Sequence, residues 1–69
     1  MTTSEKLEIA LKRQGYTKKD VAEKINTSQQ NLSKKFKFDD WRESDIKEIC
    51  QAIGIDMEIV LKFDNGETL

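Results

Sequence analysis

The chain has 69 residues, 36% of them hydrophobic and 36% charged, with a formal net charge of −1. That length makes one small domain and excludes barrels and doubly wound sheets. The apolar fraction is too high and the charge too mixed for a disordered tail, but a chain this short buries only about 60% of its unfolded surface, so its core is thin.

Met1-Thr2-Thr3-Ser4-Glu5 has no basic region leading into an apolar stretch, so it does not read as a secretory signal. It reads as a helix start, with Thr2 and Glu5 at capping-box spacing. Leu7, Ala10 and Leu11 follow at i, i+3 and i+4, the spacing of one helix face. Gly15 stops this helix as a left-handed cap, and Tyr16 is a candidate core residue at the corner. Thr17 caps a second helix, with Asp20 in its first turn and Val21, Ala22 and Ile25 as its apolar stripe. That helix ends at Asn26, the residue type that after Gly best tolerates the left-handed backbone of a sharp turn.

Thr27-Ser28 caps a third helix, running from Gln29 to about Lys37. Its only strong apolar residues are Leu32 and Phe36, a narrow stripe. Gln29, Gln30, Asn31, Ser33, Lys34, Lys35 and Lys37 make the rest of it polar. Such a helix adds little to a core and is built to touch something polar.

Phe38-Asp39-Asp40-Trp41 reads as a loop that Trp41 anchors to the core. Asp39 and Asp40 read as helix caps rather than a catalytic acid pair, with Asp40 and Glu43 at capping-box spacing. Ile46, Ile49, Cys50 and Ile53 then mark a fourth helix, and Gly54 ends it. Cys50 falls on the apolar stripe and reads as a small buried hydrophobe. With one Cys and no His in the chain, an internal disulfide, a structural zinc site and a Cys–His nucleophile are all excluded. No metal, cofactor or enzymatic activity is expected.

The last segment changes period. Met57, Ile59, Leu61 and Phe63 alternate with Glu58, Val60, Lys62 and Asp64, which predicts a strand. No other segment reads as one. A lone strand leaves backbone groups unpaired, and pairing with the same strand of a second copy satisfies them in a two-fold dimer. A short hairpin with residues 67–69, or a tail lying on the core, are the alternatives. The aliphatic run Ile59-Val60-Leu61 is far too short to span a membrane, so a soluble cytoplasmic protein is expected.

Position of charge says more than its sum. Residues 1–38 carry nine Lys/Arg against four Asp/Glu, and residues 39–69 carry three against nine. The split fits a basic working face with an acidic back, and it also fits simple surface solvation. The stretch from Thr17 to Phe36 is more specific. Two short helices meet at the tight Asn26-Thr27-Ser28 corner, Ala22 stands where they approach closely, and Val21, Ile25 and Leu32 hold them together. This is helix-turn-helix spacing.

Asp20-Val21-Ala22-Glu23-Lys24-Ile25-Asn26-Thr27-Ser28-Gln29-Gln30-Asn31-Leu32-Ser33 resembles the motif of the Cro and phage-repressor (XRE-like) helix-turn-helix family, and the resemblance spans about residues 5–54. It implies a mainly α fold, a lambda-repressor-like domain of four to five helices over residues 1–56; the C-terminal β-strand and tail over 57–69, read from the change of period, follow it as a dimerisation element. It also implies a transcriptional regulator, a repressor most of all, of a bacterium, phage or mobile element. The start of the third helix is similar to lambdoid repressors whose paired glutamines read bases. Three positions depart from the pattern. Asn26 stands where Gly is commonest, Lys18 where that subgroup often has Gln, and Phe36 fills the late apolar position.

The geometry of such a motif lays helix two across the phosphate backbone and helix three, about residues 28–37, in the major groove. Gln29 and Gln30, with Asn31 as a weaker candidate, are then the base readers, since a glutamine amide matches the adenine edge bidentately. Thr17, Lys18, Lys19, Ser28, Ser33, Lys34, Lys35 and Lys37 are the candidate phosphate contacts, the amides at the Thr17 helix start included. Met57, Ile59, Leu61 and Phe63 are the candidate dimer contacts. The expected partner is a palindromic duplex operator bound by a homodimer, with half-sites about 34 Å apart. The rival reading is a protein-interaction module, antirepressor-like or antitoxin-like, that keeps the scaffold but binds another protein through its acidic half and strand.

Overall fold

Four helices form, and each start is explained by its own sequence. A computed structural model describes all residues, 1–69, and gives α1 (Thr3–Gln14), α2 (Lys18–Lys24), α3 (Gln29–Phe38) and α4 (Glu43–Ile53). At α1, Glu5 N–H donates to Thr2 Oγ1 at 3.1 Å, and Thr2 N–H donates back to Glu5 Oε1 at 3.2 Å. The same reciprocal pair joins Thr17 and Asp20 at α2, and Ser28 Oγ accepts from Asn31 N–H at 3.0 Å at α3. Each pair satisfies amides that a helix start leaves without partners.

All four helices stop on one device, a residue of left-handed backbone: Gly15, Asn26, Asp39 and Gly54. After α1, Tyr16 N–H reaches Leu11 O at 2.9 Å. The same six-to-one bond joins Thr27 to Ala22 at 2.9 Å, Asp40 to Lys35 at 3.1 Å and Ile55 to Cys50 at 2.9 Å. These are Schellman turns, which cover orphaned carbonyls and reverse the chain within two residues.

Leu7, Leu11, Val21, Ala22, Leu32, Phe36, Ile49 and Ile53 form a single core cluster, with Tyr16, Ile25, Trp41, Ile46 and Ile55 packed at its rim. Leu32 and Ile49 are fully buried. Truncating either to Ala removes packing that nothing replaces, at about 2–5 kcal/mol. Cys50 is buried, and burial pushes its thiol pKa up, as suits an inert packing residue.

The α3–α4 corner differs from the expected cap. Phe38 belongs to α3 rather than to the loop. Asp40 does not cap α4: that helix starts at Glu43, and Asp45 accepts the Arg42 N–H at 3.1 Å. Asp39 instead reaches back to α1. Its Oδ1 accepts from Ser4 Oγ at 2.6 Å and from Ser4 N–H at 2.9 Å, while Trp41 Nε1 donates to Ser4 Oγ at 2.9 Å. The Trp41 ring also meets Phe36 edge-on, with centroids 4.8 Å apart. A loop anchor is therefore what Trp41 is, with Ser4 as the partner that a half-buried indole N–H requires.

No fifth helix forms, and the alternating C-terminal segment is not a strand of a sheet. Residues 61–63 turn back through Asn65-Gly66 and meet residues 67–69, with Leu61 and Leu69 exchanging two backbone bonds of 2.8 Å and one antiparallel bridge between Lys62 and Thr68. The hairpin alternative is the one realised within the chain, because three residues past the turn are enough to pair locally. Ile59, Leu61, Phe63 and Leu69 stay 52–73% exposed. The radius of gyration, 13.2 Å, exceeds the ~11 Å of a compact domain of this length, as a projecting hairpin requires.

Candidate nucleic-acid interface

The surface of α3 follows from its two core anchors. Leu32 and Phe36 point inward, so the opposite face carries Gln30, Ser33, Lys34 and Lys37, at i, i+3, i+4 and i+7. All four are exposed, and none is held by another side chain through a hydrogen bond or ion pair. Gln29 and Asn31 flank this face and are exposed as well. The helix contains no acidic residue. The glutamine amides and the ammonium groups of Lys34 and Lys37 are thus free to meet acceptors outside the chain.

The paired glutamines open the helix. Ser28 is the cap, so Gln29 and Gln30 occupy its first two positions, on a start fixed by the Ser28–Asn31 bond and by the Asn26 corner. Val21 and Ala22 of α2 are buried against the same core, and α2 packs on both α3 and α4. The two-helix unit that the spacing predicted is therefore rigidly seated, with its second helix turned outward.

The predicted phosphate contacts divide into free and engaged groups. Lys19, Lys34 and Lys37 are exposed and have no acidic partner. Lys18 Nζ lies 3.0 Å from Glu8 Oε1 and 4.4 Å from the centre of the Phe36 ring. Lys35 Nζ lies 3.0 Å from Asp45 Oδ2 and turns toward the start of α4. That ion pair holds the Asp45 carboxyl below the usual carboxylate range. Each of these two lysines must leave a carboxylate before it can serve a phosphate. Thr17 and Ser28 spend their side chains as caps. Asp20 adds a negative charge at the start of α2, and its carboxyl is lowered first by the Thr17 backbone N–H and then by the Thr17 hydroxyl. This charge weakens the attraction of that helix end for an anion.

Of the candidate dimer contacts, Met57 is half-buried beside α4, whereas Ile59, Leu61 and Phe63 are exposed. Alternation along the hairpin puts Leu61 and Phe63 on one face, and the direct pairings add Leu69, opposite Leu61, and Glu67, opposite Phe63. One exposed residue on α3 escaped the sequence reading. Phe38 is 68% exposed at the end of the helix, in line with Gln30 and Lys34. Its signal was the helical pattern running one residue further than the last lysine.

With this geometry in place, comparison with known proteins gives one positive result. The model of the Cro/C1-type HTH DNA-binding domain matches residues 6–66, and the chain belongs to that family. Membership assigns it DNA binding and a part in transcription regulation. No curated protein and no solved structure gives a significant match. No helix is long and apolar enough to cross a membrane.

Proposed function

We propose that the chain is a sequence-specific reader of duplex DNA, a cytoplasmic repressor from a bacterium, phage or mobile element, with α3 as the helix that enters the major groove. The observation that carries this reading is the free outward face of α3, where Gln30, Ser33, Lys34 and Lys37, with Gln29 beside them, make no side-chain hydrogen bond or ion pair within the chain. Gln29 and Gln30 read base edges, with Asn31 beside them. Lys34, Lys37 and Lys19 hold phosphates and set the register. Occupancy of an operator then blocks polymerase, with no chemistry involved.

Residues 1–56 form the reading unit, and 57–69 join two copies. The apolar face of Leu61, Phe63 and Leu69 is covered by nothing in its own chain and fits the same face of a second copy. Three side chains bury far less than the ~1,200 Å² of a standard stable interface. The dimer is therefore weak in solution and completes itself on a palindrome, where each protomer is already held by its half-site.

Selection of bound duplexes from a random library tests the reading. An enriched two-fold palindrome supports a dimeric reader. An asymmetric short site supports base reading and rejects the symmetric dimer. No enrichment at low salt rejects the reading and moves the function to a protein partner bound through the acidic half and the hairpin.

A further inference from the structure

Phe38 is the one large apolar side chain that α3 leaves in water. It is 68% exposed, whereas Phe36 on the same helix is 7% exposed. Gln30, Lys34 and Phe38 follow at i, i+4 and i+8, so the ring stands in the same row as the foremost glutamine. Eight residues of helix span about 12 Å, or between three and four base pairs of duplex. The Lys37 ammonium lies 5.5 Å from the centre of the ring. Lys34 and Lys37 flank it on the helix, which carries no acid; of the two aspartates that follow, Asp39 is turned back to Ser4 of α1 and Asp40 lies beyond the helix end.

These neighbours decide what covers the ring. A second copy would bring Lys34 and Lys37 against themselves, a like-charge contact that opposes pairing. A polyanion is attracted by the same lysines. In the major groove the apolar feature of a base pair is the thymine C5 methyl, the group against which a Phe side chain packs. We infer that Phe38 is a specificity-determining residue that packs on a thymine methyl three to four base pairs from the base read by Gln30. This inference rests on the DNA-reading function proposed above.

The probe is the best-enriched duplex from the library selection, resynthesised with deoxyuridine at one thymidine at a time. Uracil keeps the base pair and removes only the methyl. Binding is followed by fluorescence anisotropy for the unmodified full chain, Phe38→Ala and Phe38→Leu, with thermal melting to show that each variant is folded. One replacement, three to four base pairs from the Gln30 position, should weaken binding by the unmodified chain about fourfold, the value of one buried methyl. Phe38→Ala should bind more weakly and show no penalty at that position, while Phe38→Leu keeps part of it. An equal penalty for the unmodified chain and Phe38→Ala overturns the assignment, as does a selected site with no thymine in that span. A change in sedimentation of Phe38→Ala without DNA also overturns it and gives the ring to a contact between copies. Failure of the DNA-reading function is seen separately, as no duplex retained by the unmodified chain at low salt.

Discussion

Lys34 and Lys35 are neighbours in sequence, yet removing each should have opposite consequences. Lys34 is exposed and unpaired, whereas Lys35 is held 3.0 Å from Asp45 Oδ2. A lysine that neutralises a phosphate releases counterions, and log K then falls with log salt by about 0.9 per contact. Lys34→Ala should therefore flatten the slope by about 0.9 per protomer, or about 1.8 for a dimer. Lys35→Ala should leave the slope unchanged and cost less than about 1 kcal/mol of stability, since its ion pair is partly screened by water. The free lysines, Lys19, Lys34 and Lys37, give a dimer six contacts, a slope near −5 and about a 10³ loss of affinity between 50 and 200 mM salt. Counting Lys18 and Lys35 as well gives a slope near −9 and a loss of about 10⁵. Fluorescence anisotropy on one selected duplex across that range separates the two. Equal flattening by Lys34→Ala and Lys35→Ala would refute the division into free and engaged lysines.

Gln30→Ala should cost about 1–3 kcal/mol on the selected site and almost nothing on random duplex, measured by competition binding; equal loss on both removes Gln30 from base reading. Asn26→Ala leaves a bare Cβ, with no amide to bond the local backbone, at φ 58° and should lower stability by about 1–2 kcal/mol, read as a lower melting temperature. Leu61→Asp places a charge on the apolar hairpin face and should abolish self-association seen by sedimentation at high concentration, with the helical circular dichroism unchanged. The acid limb of stability should depend on Asp39, whose carboxyl is lowered first by the Ser4 hydroxyl and then by the Ser4 N–H. A lowered carboxyl binds its proton less readily in the folded chain, so its stabilisation is complete above the ordinary value of 3.8 and fades as pH falls below it. Urea unfolding from pH 7 to pH 2 should show this decline, and Ser4→Ala should make it shallower.

What was legible in the sequence is what is decided locally. The Thr2–Glu5 box, the Thr17 cap, the Asn26 corner and the α4 stripe involve residues within one or two turns of each other, and each forms where its spacing placed it. Asp39 was placed among the caps, but its partner Ser4 lies 35 residues away, and no spacing rule reaches that far. The lysines on α2 and α3 were read as one basic cluster because sequence shows charge without showing pairing. Their division depends on α1 and α4 bringing Glu8 and Asp45 within 3.0 Å of Lys18 and Lys35. The C-terminal alternation was visible, while its partner was not, since a two-residue period fits a hairpin and a dimer equally.

The fold separates what holds it together from what it offers to a partner. The stability of α3 rests on Leu32 and Phe36 beneath it, the Ser28 cap before it and the Asp39 turn after it. Gln30, Ser33, Lys34, Lys37 and Phe38 contribute to none of these. Their replacement by Ala, a strong helix former, should therefore shift unfolding free energy by no more than about 0.5 kcal/mol. Large losses in DNA affinity from the same substitutions would then be losses of contact and not of fold. A variant of this face that lost DNA binding and stability together would show that the outward face is tied into the core, which its exposure and its unpaired side chains argue against.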